Sequence, residues 1–349
     1  MQNGFEQNPY DHCVYNKVGE DGKQITIVVH VDDLLVTSEN RLHIDAFGVY
    51  LKSVYPEAKT NTGSISDYVG MTFNLNEERQ VKVTMDNCVE DILSGCGVET
   101  TRVTPAASTL FDVRDSPRAT EQGAKWFHTY VAKVLYLAKR VRPECLTAVA
   151  FLTTRVNVCD QDDLAKLKRL LGYIRFTRDR GITLRVGDRM DVKAYIDAAY
   201  RVHQDSGKSH TGCAIVLGSA GPLFSKSAKP KIVTKSSTEA ELVGLSDTAS
   251  QAIHLRNFVI AQGYDIGPVV YQDNLSCMAL MKRGGPGSER SRHINIRHFW
   301  LSERVDQGEV IIEHLGTEDM FANVLTKPVR YSAVSVNPLM RNVRLTDCN

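Results

Sequence analysis

Three carboxylates in a fixed order of local settings constrain this chain most. Asp197 closes the run Ala194-Tyr195-Ile196, and Asp273 closes Val269-Val270-Tyr271-Gln272, so both belong near the ends of strands. Glu241 lies instead in a helical pattern, where Leu242, Leu245, Ala249, Ala252 and Ile253 recur at helical spacing. A carboxylate on a central strand, one on a helix and one on a neighbouring strand can converge on a pair of divalent cations. Such chemistry needs hard oxygen ligands with room left for water and phosphate. Taken singly, Asp197 reads as a strand-edge turn residue, Glu241 as a solvent-facing helix residue and Asp273 as a cap of the next helix. Together, in this order, they point to one shared site. Glu239, two residues before Glu241, cannot share its helix face and is the poorer candidate.

The pattern around these residues predicts an α/β (α+β) fold. Strands over 192–197, 211–217 and 222–227 form an antiparallel meander, followed by a helix over 237–262 and a strand over 269–273. Helices over 275–282 and 296–306, a loop at Gly284–Gly287, a strand over 310–314 and a short helix over 318–325 complete a mixed sheet flanked by helices. Upstream, two apolar strands over 25–37 meet at Asp32-Asp33. A helix over 41–60, strands over 68–73 and 81–85 and a helix over 86–96 follow. The polar stretch 100–122, with Pro105 and Pro117, reads as a linker. Residues 125–176 are helical in pattern, and a strand over 181–184 with a turn at 188–191 leads into the last domain. The expected division is therefore 1–100, 101–183, 184–328 and a polar tail over 329–349. Read alone, Asp32 and Asp33 are turn acids, which repel unless a cation or solvent relieves them.

With 349 residues, 42% of them hydrophobic, the chain has material for two or three globular cores. Its formal charge of only +1 excludes a polycation, so nucleic-acid binding must come from local patches. Lys226, Lys229, Lys231 and Lys235 form one, and Lys282, Arg283, Arg290, Arg292 and Arg297 a looser second. A solvated surface is the ordinary reading of either alone. Eight scattered cysteines without a Cys-x-x-Cys argue against a zinc ribbon or a disulfide framework. No apolar run reaches membrane-spanning length and no targeting segment opens the chain, so it reads as intracellular and reduced.

Asp197-Ala-Ala-Tyr, Lys235-Ser-Ser-Thr-Glu-Ala-Glu-Leu, Gln272-Asp-Asn and Ala322-Asn-Val-Leu-Thr-Lys-Pro, in this order, resemble the ribonuclease H domain of copia-type LTR-retrotransposon Pol polyproteins. The resemblance extends upstream. His30-Val-Asp-Asp resembles the Tyr-x-Asp-Asp palm motif of their reverse transcriptases, Arg142-Pro-Glu resembles their thumb and connection region, and Lys166–Ile174 resembles the helix that precedes their ribonuclease H domain. It implies that Asp197, Glu241 and Asp273 bind Mg²⁺ (or Mn²⁺) and that the substrate is an RNA–DNA hybrid. Lys226, Lys229, Lys231, Lys235, Arg290, Arg292 and Arg297 are then the backbone contacts. Asp32 and Asp33 would belong to a polymerase metal site whose third aspartate comes from an earlier segment of the polyprotein. That missing N-terminal part is an implied partner, and without it primer extension is not expected. The fourth ribonuclease position departs: Asn323 stands where the family has aspartate, and Asn295 shows a similar change. With Asp319 four residues earlier on the expected last helix, both 319 and 323 would share one face. The neutral Asn323 leaves open a second reading, a weakened or dead relic that keeps the fold and binds nucleic acid.

Overall fold

The computed structural model describes residues 4–78, 80–185, 190–218, 221–282 and 292–328. The expected loop at Gly284–Gly287 and the tail over 329–349 lie outside these residues. Among the described residues the chain builds three sheets. The first is antiparallel, with β1 (Glu6–Gln7), β2 (Val14–Val18), β3 (Gln24–His30) and β4 (Asp33–Ser38) in that order. Alternation in β3 sends Ile25 and Ile27 inward. The two-residue turn between β3 and β4 is Val31-Asp32, and Val31 sits at a φ of 56° while 89% exposed. A β-branched residue avoids that left-handed region, so this hairpin tip is held against local preference. Helix α1 (Arg41–Val54) follows, its first turn capped by the Asn40 side chain.

The second sheet orders β5 (Ile65–Tyr68), β6 (Met71–Leu75), β7 (Val81–Thr84) and β8 (Ile182–Leu184). The single strand expected over 68–73 is instead a hairpin. Val69 and Gly70, at φ of 52° and 73°, make its two-residue turn, whose handedness suits the twist of the flanking strands. Between β7 and β8 lie α2 (Asp86–Gly95), α3 (Glu121–Arg140), α4 (Leu146–Thr153) and α5 (Gln161–Phe176). Asp160 and Asp163 close a capping box at the start of α5. The stretch 100–122 is not a free linker, since Thr104, Ala106, Leu110 and Phe111 are buried in it.

The third sheet carries the three carboxylates. Its order is β11 (Pro222–Ala228), β10 (Lys208–Leu217), β9 (Val192–His203), β12 (Pro268–Gln272) and β13 (Ile311–His314). The β9-β10-β11 meander is antiparallel, while β12 and β13 run parallel to β9. Helices α6 (Ser237–Ala261), α7 (Leu275–Lys282) and α8 (Arg292–Asp306) complete this part. Val192, Ala194 and Ile196 on one face of β9 pack with Leu242, Leu245, Ala249 and Ala252 of α6. Tyr195, on the opposite face, joins a core with α2–α5 and a 3₁₀ turn at Phe321–Leu325. The central strand is thus covered on both sides. Two glycines of this part mark close approaches. A Cβ on Gly244 of α6 would stand 3.0 Å from Thr211, and one on Gly212 of β10 would meet Leu325 and Thr326 side chains at 2.7 and 2.8 Å. Gly212 lies directly across the sheet from Asp197, so its missing side chain lets the 3₁₀ turn settle beside that carboxylate. The helix expected over 318–325 is therefore a shorter, tighter 3₁₀ segment preceded by a hydrogen-bonded turn at 317–319, and Asp319 lies in that turn. Asp319 and Asn323 do not share a helical face.

Beyond Asp197, β9 continues to a buried histidine pair. His203 Nε2 lies 2.9 Å from His210 Nδ1, and His210 Nε2 lies 2.7 Å from Ser227 Oγ. Ser227 donates its proton to the Leu325 carbonyl, so it must accept from His210, and His203 in turn donates to His210. Every proton in this chain is committed. Burial pushes His203 down to about 4, with Lys229 adding to the effect and Asp205 opposing it, and pushes His210 down to about 3. The unfolded chain, at the ordinary 6.5, binds protons that the folded one refuses. The stability contributed by this pair is therefore fully present above pH 6.5 and is lost as pH drops from 6.5 towards 3. As pH falls from 6.5 to 5, the melting temperature of the native chain should drop relative to that of His203→Gln/His210→Gln, which lacks this titration. Parallel curves would place the acid sensitivity elsewhere.

Candidate metal centre

Asp197 comes from the middle of β9, Glu241 from the second turn of α6, and Asp273 from the residue after β12. One ligand oxygen from each lies within 4.8 Å of the other two. Asp197 and Glu241 are buried and Asp273 is half-buried. Local signals explain why each side chain is free to face the others. At the start of α6, Ser236 caps the Glu239 amide, and Glu239 accepts from the Lys235 amide at 2.7 Å. Glu239 is thus spent on the helix end, and Glu241 points to the cluster. At α7 the capping oxygen belongs to Asn274, which accepts from the Cys277 amide at 2.9 Å, so Asp273 is not the cap.

Each carboxylate has a neighbour that holds it. Thr326 donates its hydroxyl hydrogen bond to Asp197 Oδ2, and Lys327 Nζ lies 3.7 Å from the same oxygen. Gln272 Nε2 donates to Glu241 at 3.4 Å, and Thr317 Oγ donates to Asp273 at 3.1 Å. Burial raises the Glu241 carboxyl to about 9, reinforced by the charges of Asp197 and Asp273. Asp197 is also raised by burial, with Lys327 and Thr326 working against the shift. Three carboxylates crowded where water is scarce are mutually unfavourable unless protons or cations intervene. The donor set, all oxygen and doubly buried, fits a hard divalent cation.

Asn323 stands at the margin of this cluster and is tied to it on both sides. Its amide donates to the Thr317 carbonyl at 2.7 Å, and Lys327 Nζ lies 3.4 Å from its Oδ1. Thr317, Thr326 and Lys327 are functional-site neighbours that the sequence reading passed over. Thr326 and Lys327 follow Asn323 in the run Ala322–Pro328. Asp32 and Asp33 sit exposed at the first hairpin, and among the described residues they join no cluster of three metal-binding side chains.

The basic residues divide. Lys231 and Lys235 are exposed at the approach to α6. Lys229 pairs with Asp205 at 3.2 Å, Lys226 donates to the Asp247 carbonyl at 3.4 Å, and Arg297 pairs with the Asp247 carboxylate. Arg290 and the side chain of Arg292 lie outside the described residues, as does the side chain of Asn295. Among the described residues, no helix is long and apolar enough to cross a membrane.

No family model matches the chain. It is 28% identical over 318 residues to the retrovirus-related Pol polyprotein from transposon RE2 of Arabidopsis thaliana, covering 87% of this chain and 21% of that protein. It is 25% identical over 328 residues to the corresponding polyprotein from transposon TNT 1-94 of Nicotiana tabacum, covering 91% and 24%. The chain thus spans about a fifth of the length of these relatives. Among solved structures, it is similar to LC11-RNase H1 isolated from compost, at 15% identity and a TM-score of 0.31, over 39% of this chain and 91% of that one. It is also similar to the foamy viral protease-reverse transcriptase in complex with RNA/DNA hybrid, at 12% identity and a TM-score of 0.49, over 83% and 36%. Over most of its length the chain is a homologue of the copia-type Pol polyproteins of transposons.

Proposed function

We propose that this chain is the ribonuclease H-bearing part of a transposon Pol polyprotein and hydrolyses the RNA strand of RNA–DNA hybrids. The observation that carries this reading is the convergence of Asp197, Glu241 and Asp273, from three elements, within 4.8 Å. These residues would hold Mg²⁺ or Mn²⁺, which when bound activates water and steadies the leaving oxygen in phosphodiester displacement. The chain's own contribution is orientation. Thr326, Gln272 and Thr317 each fix one carboxylate by a hydrogen bond, the kind of support on which ligand geometry depends. The exposed ammonium groups of Lys231 and Lys235 are suited to phosphates, and hybrid selection rests on groove shape and 2′-hydroxyls. In the same reading residues 1–100 are a portion of a reverse transcriptase palm, 101–183 its thumb or connection, and 184–328 the ribonuclease part.

The neutral Asn323 favours a second reading, in which the site binds hybrid without cutting it. One assay separates the two. The purified chain is mixed with hybrid, RNA duplex or DNA duplex carrying an end-labelled strand, in Mg²⁺ and then Mn²⁺. Shortening of the RNA in the hybrid alone is expected. Retained hybrid with intact RNA in both metals would leave the relic reading standing.

A further inference from the structure

Lys327 reaches the side chains of both Asp197 and Asn323. Its ammonium lies 3.7 Å from Asp197 Oδ2 and 3.4 Å from Asn323 Oδ1. Its backbone is fixed, because the Lys327 amide donates to the Asn323 carbonyl at 3.1 Å and the neighbouring Thr326 hydroxyl holds the same Asp197 oxygen. Its side chain is not enclosed: 53% of it is exposed, against 4% for Asp197. A flexible four-carbon stem rooted beside the cluster thus carries a positive charge to its edge and can also carry it away.

We infer that Lys327 is a built-in counter-cation of the carboxylate cluster, and that it competes with a second divalent ion on the side of the cluster formed by Asp197 and Asn323. This inference rests on the proposed metal-binding reading of the three carboxylates. Two features give it direction. Both Thr326 and Lys327 engage Oδ2 of Asp197, so an ion that used that oxygen would have to displace the ammonium. Asn323 offers that ion only a carbonyl dipole, and the same dipole already faces Lys327. A neutral side chain at 323 and a cation at 327 both weaken a second divalent site. Lys327 is accordingly a positioning residue that sets how many metal ions the cluster holds.

The test uses Mn²⁺ alone, with bound ions counted by electron paramagnetic resonance on the full chain, its Lys327→Met and Lys327→Arg variants, and Asp273→Asn. The native chain should bind one Mn²⁺ well and a second weakly. Lys327→Met should tighten the second on the order of tenfold, because a like charge is removed from its side, whereas Lys327→Arg should leave it weak. Thermal melting supplies the second readout. Lys327→Met should melt lower than the native chain without metal and regain the difference in Mn²⁺, while a merely structural lysine would cost the same in both. If Asp273→Asn abolishes binding but Lys327→Met leaves the second affinity unchanged, this inference is overturned and the metal-binding reading survives. If the native chain binds no Mn²⁺, both fall together.

Discussion

Replacing Asp273 with asparagine should abolish cleavage of an RNA–DNA hybrid, lowering the initial rate by roughly 100-fold or more, while hybrid affinity stays equal or rises. The size of the loss follows from what is removed. Even residues that only orient metal ligands typically cost 10- to 100-fold when mutated, and a ligand itself should cost at least as much. Affinity moves the other way because Asp273, the least buried of the three, repels an approaching phosphate when uncompensated. The substitution leaves the fold alone, since the first turn of α7 is capped by Asn274. Initial rate and hybrid retention, measured on the same preparation, decide the matter. A variant cutting within a few-fold of the native rate would remove Asp273 from the chemistry.

The second large effect is on stability and has the opposite sign to the usual cost of a core substitution. Glu241→Gln should make the metal-free protein more stable above pH 4.5, increasingly so up to about pH 9. The folded Glu241 titrates at about 9 against 4.5 in an unperturbed chain. Between those values the folded state holds a proton that the unfolded state has released, so the contribution of Glu241 to stability falls as pH rises through this window. The slope is up to about 1.4 kcal/mol per pH unit. Glutamine keeps the shape and the Gln272 partnership without the charge, so it escapes this loss. Saturating Mg²⁺ should reverse the ranking, because the native cluster then gains a ligand-linked stabilisation that the variant lacks. Melting temperatures at pH 5, 7 and 8.5, with and without Mg²⁺, check both halves. Identical metal-free curves for variant and native chain would mean that burial beside Asp197 and Asp273 does not raise the Glu241 carboxyl.

What the sequence disclosed and what it concealed divide by range. Asp197, Glu241 and Asp273 could be read because each is announced by its own neighbours, a short apolar strand or a helical stripe. The helices α3, α5 and α6 were legible for the same reason. Thr326 and Lys327 were not, because they reach Asp197 from about 130 residues away and nothing local marks that approach. Gly212 held the clue, as a glycine in a strand often marks a close backbone approach. Val69 concealed a turn, since a β-branched residue at positive φ contradicts its own preference. Phe111 and Leu110 lack any period, yet they are buried in the core beside α4 and the histidine pair, where Phe111 lies about 5 Å from both imidazoles. The continuation of β9 past Asp197 to His203 was equally hidden, because the polar residues that suggest an ending are covered by parts of the chain distant in sequence.

The 3₁₀ turn at Phe321–Leu325 has a bearing on how the protein is made. Thr147 of α4 donates to the Val324 carbonyl at 2.7 Å across 177 residues, and Ser227 of β11 donates to that of Leu325 across 98. Ala322, Val324 and Leu325 belong to the same core as Val83 and Phe127. Helices that emerge early from the ribosome therefore wait, with part of their apolar face unsealed, for a segment synthesised far later. Contacts of such separation are paid for in chain entropy before they return any stabilisation, which makes their formation slow. Until residue 325 arrives, the nascent chain exposes the surface that invites association with other chains. The same late segment delivers Asn323, Thr326 and Lys327, so the carboxylate cluster gains its surroundings in the step that closes the core.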